Sequence, residues 1–164
     1  MQQRKAPSFS LLDQHGETKQ LKDYIGRWVV LYFYPRDFAY NCNREACNFR
    51  DEYRAIAQFG NAEIIGINRG SVASHSAFSK KFRLEFPILS DVGHVITSQF
   101  GAWRSGNVRL FDKPFGTRRN TYIINPKGYI VQEFVSVNPA THAEEIINAL
   151  QELQVQSKPL EHSA

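Results

Sequence analysis

Two cysteines, Cys42 and Cys47, lie five positions apart in the stretch YPRDFAYNCNREACNFRD at 34–51. Thiols do chemistry as thiolates, acting as nucleophiles, metal ligands or partners in a disulfide. Set among arginines and asparagines, these two read either as a reactive pair or as two ordinary half-buried side chains, and placement separates the readings. The preceding run WVVLYFY (28–34) is apolar without alternation, the pattern of a strand buried on both faces, and Pro35 ends it. From Asn43 onward, Ala46, Phe49, Tyr53, Ile56 and Ala57 recur at helical spacing and predict a helix over about 43–59. Cys42 is then expected at or just before a helix N-terminus, where unpaired amides and the macrodipole favour a thiolate over a thiol. Cys47 falls one turn further in. Glu45 is expected in the first turn, where an acid suits the dipole.

Other chemistries find no residues to carry them. The chain has no glycine-rich phosphate loop, no HExxH, no GxSxG and no CxxC. His15, His75, His94, His142 and His162 form no metal-ligand spacing with one another or with the cysteines, and read as surface or internally satisfied side chains. No metal and no cofactor is expected. The net charge of +4 is spread over Arg44, Arg50, Arg54, Lys80, Lys81, Arg104, Arg109, Arg118 and Arg119 rather than gathered in a run, which argues for a solvated surface and against nucleic acid. The opening MQQRKAPSFS holds no apolar run of signal length, and no segment approaches the ~20 apolar residues that span a bilayer. A soluble, cytoplasmic protein without membrane contact is expected. Two cysteines are too few for a secreted disulfide framework.

The elements that must position these residues follow a simple order. FSLLD and TKQL flank the turn QHGE as an N-terminal hairpin; AEIIGI (62–67) is a strand, SVASHSAFSKKF (71–82) a helix, and FPILSD leads into a short helix around 92–100. Residues 104–118 are polar, with no clear period. RNTYIINPKGYIVQEFVSV (119–137) reads as two strands joined by the turn NPKG. Asn138 as N-cap and Pro139 at the first helical position open a last helix that ends near 154. The expectation is one α/β domain over 1–155, a mixed central sheet flanked by helices in the thioredoxin topology, with 156–164 as a disordered tail.

The chain resembles the peroxiredoxins, and among them the bacterioferritin comigratory protein or Q-type branch. The likeness runs from APSFSLLDQHGETKQLKDYIGRWVVLYFYPRD through EACNFRDEY, GINRGSVASHSAFSKKFRLEFPILSD and FGAW to RNTYIINPKGYI, about residues 6–150. The family's signature is a proline, a threonine or serine four residues later, a peroxidatic cysteine three beyond that, and a distant arginine. Pro35, Cys42 and Arg119 match it. Ala39 stands at the threonine position and Tyr40 where the branch usually has a second proline; Tyr40 and Asn43 offer the nearest polar groups in place of the missing hydroxyl.

The resemblance implies a thiol-dependent peroxidase acting on hydrogen peroxide and small organic hydroperoxides. In it Cys42 would attack the peroxide, Arg119 would stabilise thiolate and transition state, and Pro35 would shape the loop and shield Cys42. Glu45 would orient the arginine or cap the helix, and Cys47 would resolve the sulfenic acid to a disulfide reduced by thioredoxin or a similar dithiol protein. A monomer or weak dimer is expected. Ala39 and Tyr40 leave a second reading open: a peroxiredoxin-fold protein of weakened turnover that serves as a redox sensor or protein-binding module.

Overall fold

A computed structural model of the protein describes residues 3–58, 61–104 and 116–157. Strands β1 (Arg4–Lys5), β2 (Ser10–Leu12) and β3 (Thr18–Gln20) precede β4 (Trp28–Phe33), and helix α1 (Tyr40–Gln58) leads to β5 (Ala62–Asn68). Helix α2 (Val72–Phe82), β6 (Ile88–Ser90), α3 (Val95–Phe100) and the short strands β7 (Trp103–Arg104) and β8 (Gly116–Thr117) follow. Strands β9 (Thr121–Ile124) and β10 (Tyr129–Phe134) and helix α4 (His142–Ser157) complete the order. The main sheet runs β1-β10-β9-β4-β5-β6-β2-β3, with β4, β5 and β6 parallel and the other pairs antiparallel. This is the mixed, thioredoxin-like sheet expected from the sequence, and β2–β3 is its N-terminal hairpin.

Strand β4 is buried at every position, as its unbroken apolar run requires. Its side chains alternate between two cores. Trp28, Val30, Tyr32 and, just past the strand, Tyr34 pack with Cys42, Ala46 and Phe49 of α1, Phe78 of α2 and Ile146 and Leu150 of α4. Val29, Leu31 and Phe33 pack on the other face with Ile96 and Phe100 of α3 and with Phe9 and Leu21 of the N-terminal segment. The late hairpin turns at NPKG, where Asn125 Oδ1 accepts from the amides of Lys127 (3.1 Å) and Tyr129 (3.0 Å) and Gly128 adopts φ +91°.

Both boundary helices depart from their sequence expectation. Helix α1 begins at Tyr40 rather than near Asn43, because the Asn43 amide already donates to the Ala39 carbonyl at 2.8 Å. Helix α4 begins at His142 rather than after Asn138. Asn138 does cap, but it caps a turn: its Oδ1 accepts from Ala140 N at 2.9 Å and its carbonyl from the amides of Thr141 and His142. The same helix runs to Ser157, so Gln156 and Ser157, expected in the tail, are helical. The polar stretch over 105–115, with Arg109, and the rest of the tail, with His162, lie outside the described residues. Among the described residues no helix is long and apolar enough to cross a membrane.

His142 enters the core at the start of α4, between the rings of Phe49 and Phe134, with Nε2 2.6 Å from Thr121 Oγ1. Burial, reinforced by the nearby Arg119 charge, pushes its pKa down from 6.5 to about 4. The unfolded chain therefore takes up a proton near pH 6.5 that the folded protein refuses until about 4. The stability this residue contributes is full above 6.5 and is lost as pH falls toward 4. Unfolding at a series of pH values should show the wild type losing roughly 3 kcal/mol more over that window than His142→Gln. Parallel curves for the two proteins would refute the assignment.

Candidate active site

The parallel strands end at one edge of the sheet, and the reactive residues gather there. Cys42 is the third residue of α1, not a residue before it, so its own amide is among the first-turn N–H groups without an i−4 carbonyl. The antiparallel pairing of β4 with β9 sets Tyr32 opposite Thr121, which brings Arg119, just before β9, beside the start of α1. Arg119 Nη2 donates to Cys42 Sγ at 3.2 Å and Nη1 to Glu45 Oε1 at 3.0 Å. Cys42 and Glu45 are each 1% exposed, and Arg119 is largely covered. One guanidinium thus bridges a buried sulfur and a buried carboxyl.

Glu45 corrects an expectation. Because α1 starts at Tyr40, Glu45 lies in the second turn; the first turn holds no acid, and the carboxyl faces Arg119 rather than capping amides. Burial pushes its pKa up to about 7 against the pull of the guanidinium, and its Oε2 has no partner among the described residues. Burial opposes the charge on Arg119 too, but Glu45 and Cys42 outweigh it and hold the guanidinium more firmly protonated. Cys47 is half-buried and unbonded, with its pKa raised by burial and by Asp51 and lowered by Arg50. Pro35 is exposed at the loop entrance, and the cover over Cys42 comes from its core neighbours. Ala39 is half-buried with no side-chain donor. Tyr40 is 73% exposed under the Arg44 guanidinium (5.6 Å), and Asn43 Nδ2 turns to the Phe38 carbonyl at 3.4 Å. Neither of them replaces the missing hydroxyl at Sγ.

Sequence reasoning passed over a second polar cluster beside this one. Asp37, in the loop between β4 and α1, is tied to Tyr34, Asn68, Ser74 and His75. Its one sequence signal is an aspartate in a loop followed at a distance by a serine and histidine at a helix start, a pattern with no motif to name it. Among the described residues, no group of three or more His, Cys, Asp or Glu is placed to hold a metal ion.

A buried cysteine in the first turn of a helix, paired with an arginine at the end of the facing strand of a thioredoxin-like sheet, defines a thiol-centred redox site. Comparison with known proteins gives the same class. The model of the AhpC/TSA family matches residues 3–133. Peroxiredoxin Bcp of Bacillus subtilis is 36% identical over 151 residues, 92% of this chain and 94% of its own. The chloroplastic peroxiredoxin Q of Populus jackii is 39% identical over 148 residues, and the chain spans 66% of its length. A structure of Xanthomonas campestris bacterioferritin comigratory protein superposes with TM-score 0.83 at 30% identity, covering 88% of this chain and 91% of that one. The chain belongs to the AhpC/TSA family and, within it, to the Q-type peroxiredoxins, which are thiol-dependent peroxidases.

The geometry separates two adjacent arginines. Arg119→Met removes the bond to Sγ and should slow oxidation of Cys42 by hydrogen peroxide on the order of 10²-fold or more. Arg118→Met should not. Stopped-flow measurement on both variants decides it, and equal losses would mean that the strand end, not the guanidinium on Cys42, matters.

Proposed function

We propose that the protein is a two-cysteine peroxidase in which Cys42 is the peroxidatic residue and Cys47 the resolving one. The observation that carries the reading is the 3.2 Å contact of Arg119 with Cys42 Sγ at a helix N-terminus. The thiolate attacks the outer oxygen of the peroxide, the O–O bond breaks, Cys42 becomes a sulfenic acid, and the departing alkoxide or hydroxide takes a proton to leave as alcohol or water. Arg119 serves the negative charge first on sulfur and then on the departing oxygen, while Glu45 holds the guanidinium in place. Pro35 turns the chain out of the sheet so that the loop reaches α1.

The Cys47 thiolate then attacks the sulfenic sulfur, forming the disulfide as hydroxide leaves and takes a proton to become water. A dithiol protein such as thioredoxin reduces that bond in a reducing compartment, the cytoplasm. Hydrogen peroxide and small organic hydroperoxides are the substrates; reduction of alkyl peroxides by the Xanthomonas campestris relative supports the second class. One observation favours a weaker enzyme, a redox sensor or protein-binding module: Ala39 leaves Sγ with a single side-chain donor among the described residues.

Thioredoxin-coupled peroxide consumption tests the assignment. Cys42→Ser should abolish turnover, and Cys47→Ser should consume a single equivalent and stop at the sulfenic acid. Wild-type turnover no greater than that of Cys42→Ser would give the sensor reading the protein. Restoring the hydroxyl provides an independent check: Ala39→Thr should raise the second-order rate of Cys42 oxidation by about tenfold or more, since one preorganised donor counts for this much. An unchanged rate would mean that the first-turn amides and Arg119 already supply the whole stabilisation.

A further inference from the structure

Asp37 gathers more partners than any role in turning the chain requires. Its Oδ1 accepts from Tyr34 Oη at 2.6 Å and Asn68 Nδ2 at 3.2 Å, and its Oδ2 from Ser74 Oγ at 2.6 Å, with His75 Nδ1 2.7 Å away. These partners come from the end of β4, the end of β5 and the first turns of α2. The knot is closed from behind. Asn68 Oδ1 accepts from Gly70 N at 2.7 Å, Ser90 Oγ donates to the Gly70 carbonyl, and a Cβ on Gly70 would lie 2.9 Å from both Asn68 Oδ1 and His75 Cε1. The side chains of Asp37 and His75 are almost wholly buried.

The next residue, Phe38, takes φ +67°, a left-handed conformation that a bulky side chain adopts only when its surroundings impose it. Its ring packs edge-on against Phe78 at 5.4 Å and near Phe82 at 6.4 Å, both on α2. The loop is therefore fastened to α2 twice, once by charge-assisted hydrogen bonds and once by aromatic contact. Helix α1 itself starts weakly: Ala39 offers no capping side chain, and the first turn contains no acid.

Resting on the reading of Cys42 and Cys47 above, we propose that Asp37 is a positioning residue that sets the balance between the two half-reactions by holding the first turn of α1 folded. Five residues along a helix put the two cysteine Cα atoms roughly 8–9 Å apart. A disulfide allows no more than ~7 Å. Peroxide attack needs the turn wound, with Cys42 against Arg119; the attack of the Cys47 thiolate on the Cys42 sulfenic acid, which forms the S–S bond and releases water, needs it unwound. The clamp also fixes where unwinding stops, because residues up to Phe38 stay on α2.

Weakening the clamp must then push the two steps in opposite directions, which a general loss of structure does not do. Asp37→Asn should speed hydrogen exchange of amides 43–47 in the reduced protein by roughly five- to tenfold, the scale of one net hydrogen bond. Amides of β4 and β5 should be unchanged. Formation of the 42–47 disulfide, followed by quench and mass spectrometry, should accelerate by a similar factor, and oxidation of Cys42 by hydrogen peroxide should slow by less, because the turn stays mostly wound. Ser74→Ala, which removes one bond and leaves the carboxylate, should give the same signs at about two- to threefold and serves if Asp37→Asn does not fold. Both steps slowing together, or neither moving, overturns the proposal. If wild-type Cys42 does not react with peroxide, the peroxidase assignment falls; exchange then decides the clamp alone, faster exchange confined to 43–47 supporting it and unchanged exchange refuting it.

Discussion

A single guanidinium shared by two buried acids governs this site. Cys42 and Glu45 both lie out of water, and one cation, Arg119, stands between them. Two full negative charges there would leave a net anion in a region of low dielectric, which is strongly disfavoured. Burial pushes the Glu45 carboxyl up to about 7 against the pull of Arg119, so it gives up its proton less readily than a free carboxyl. Arg119 already ion-pairs with Glu45 at 3.0 Å, so the guanidinium keeps a partner whatever the charge on the sulfur.

The departures at Ala39 and Tyr40 act on different faces of this arrangement. Ala39 offers Cys42 no side-chain donor, so the side-chain hydrogen bond that Sγ accepts among the described residues is that of Arg119. Tyr40 turns outward beneath Arg44 and leaves the buried side untouched. The pocket is thus simplified at its centre and altered at its rim, with the charge relay of Arg119, Cys42 and Glu45 intact.

Much of this was legible in the sequence, and the gaps have physical causes. The unbroken apolar run of β4, the NPKG turn and the helical period after Asn43 named their elements because each is a local signal. Helix starts were less legible: the period marks the buried face, whereas the start of α1 is fixed by the Ala39 carbonyl and that of α4 by an asparagine capping the turn before it. Glu45 looked like a first-turn acid for the same reason. Arg119 was legible only through a family pattern, because its partner is 77 positions away and no spacing rule reaches that far. Asp37 escaped notice and His142 was read only as one of the surface or internally satisfied histidines, since a buried polar side chain is recognised by its partners, and these come from other strands and helices.

That long separation shapes how the chain acquires reactivity. Thr121 must lie opposite Tyr32 before Arg119 can meet Cys42, so the site exists only after β9 has paired with β4. Contacts of this kind are late and slow to form, because a long loop must close before any bond rewards it. A nascent chain that has made α1 but not yet β9 carries two cysteines without their arginine. Its Cys42 has the amides of the helix start but not the guanidinium, which arrives only in molecules whose sheet is already complete.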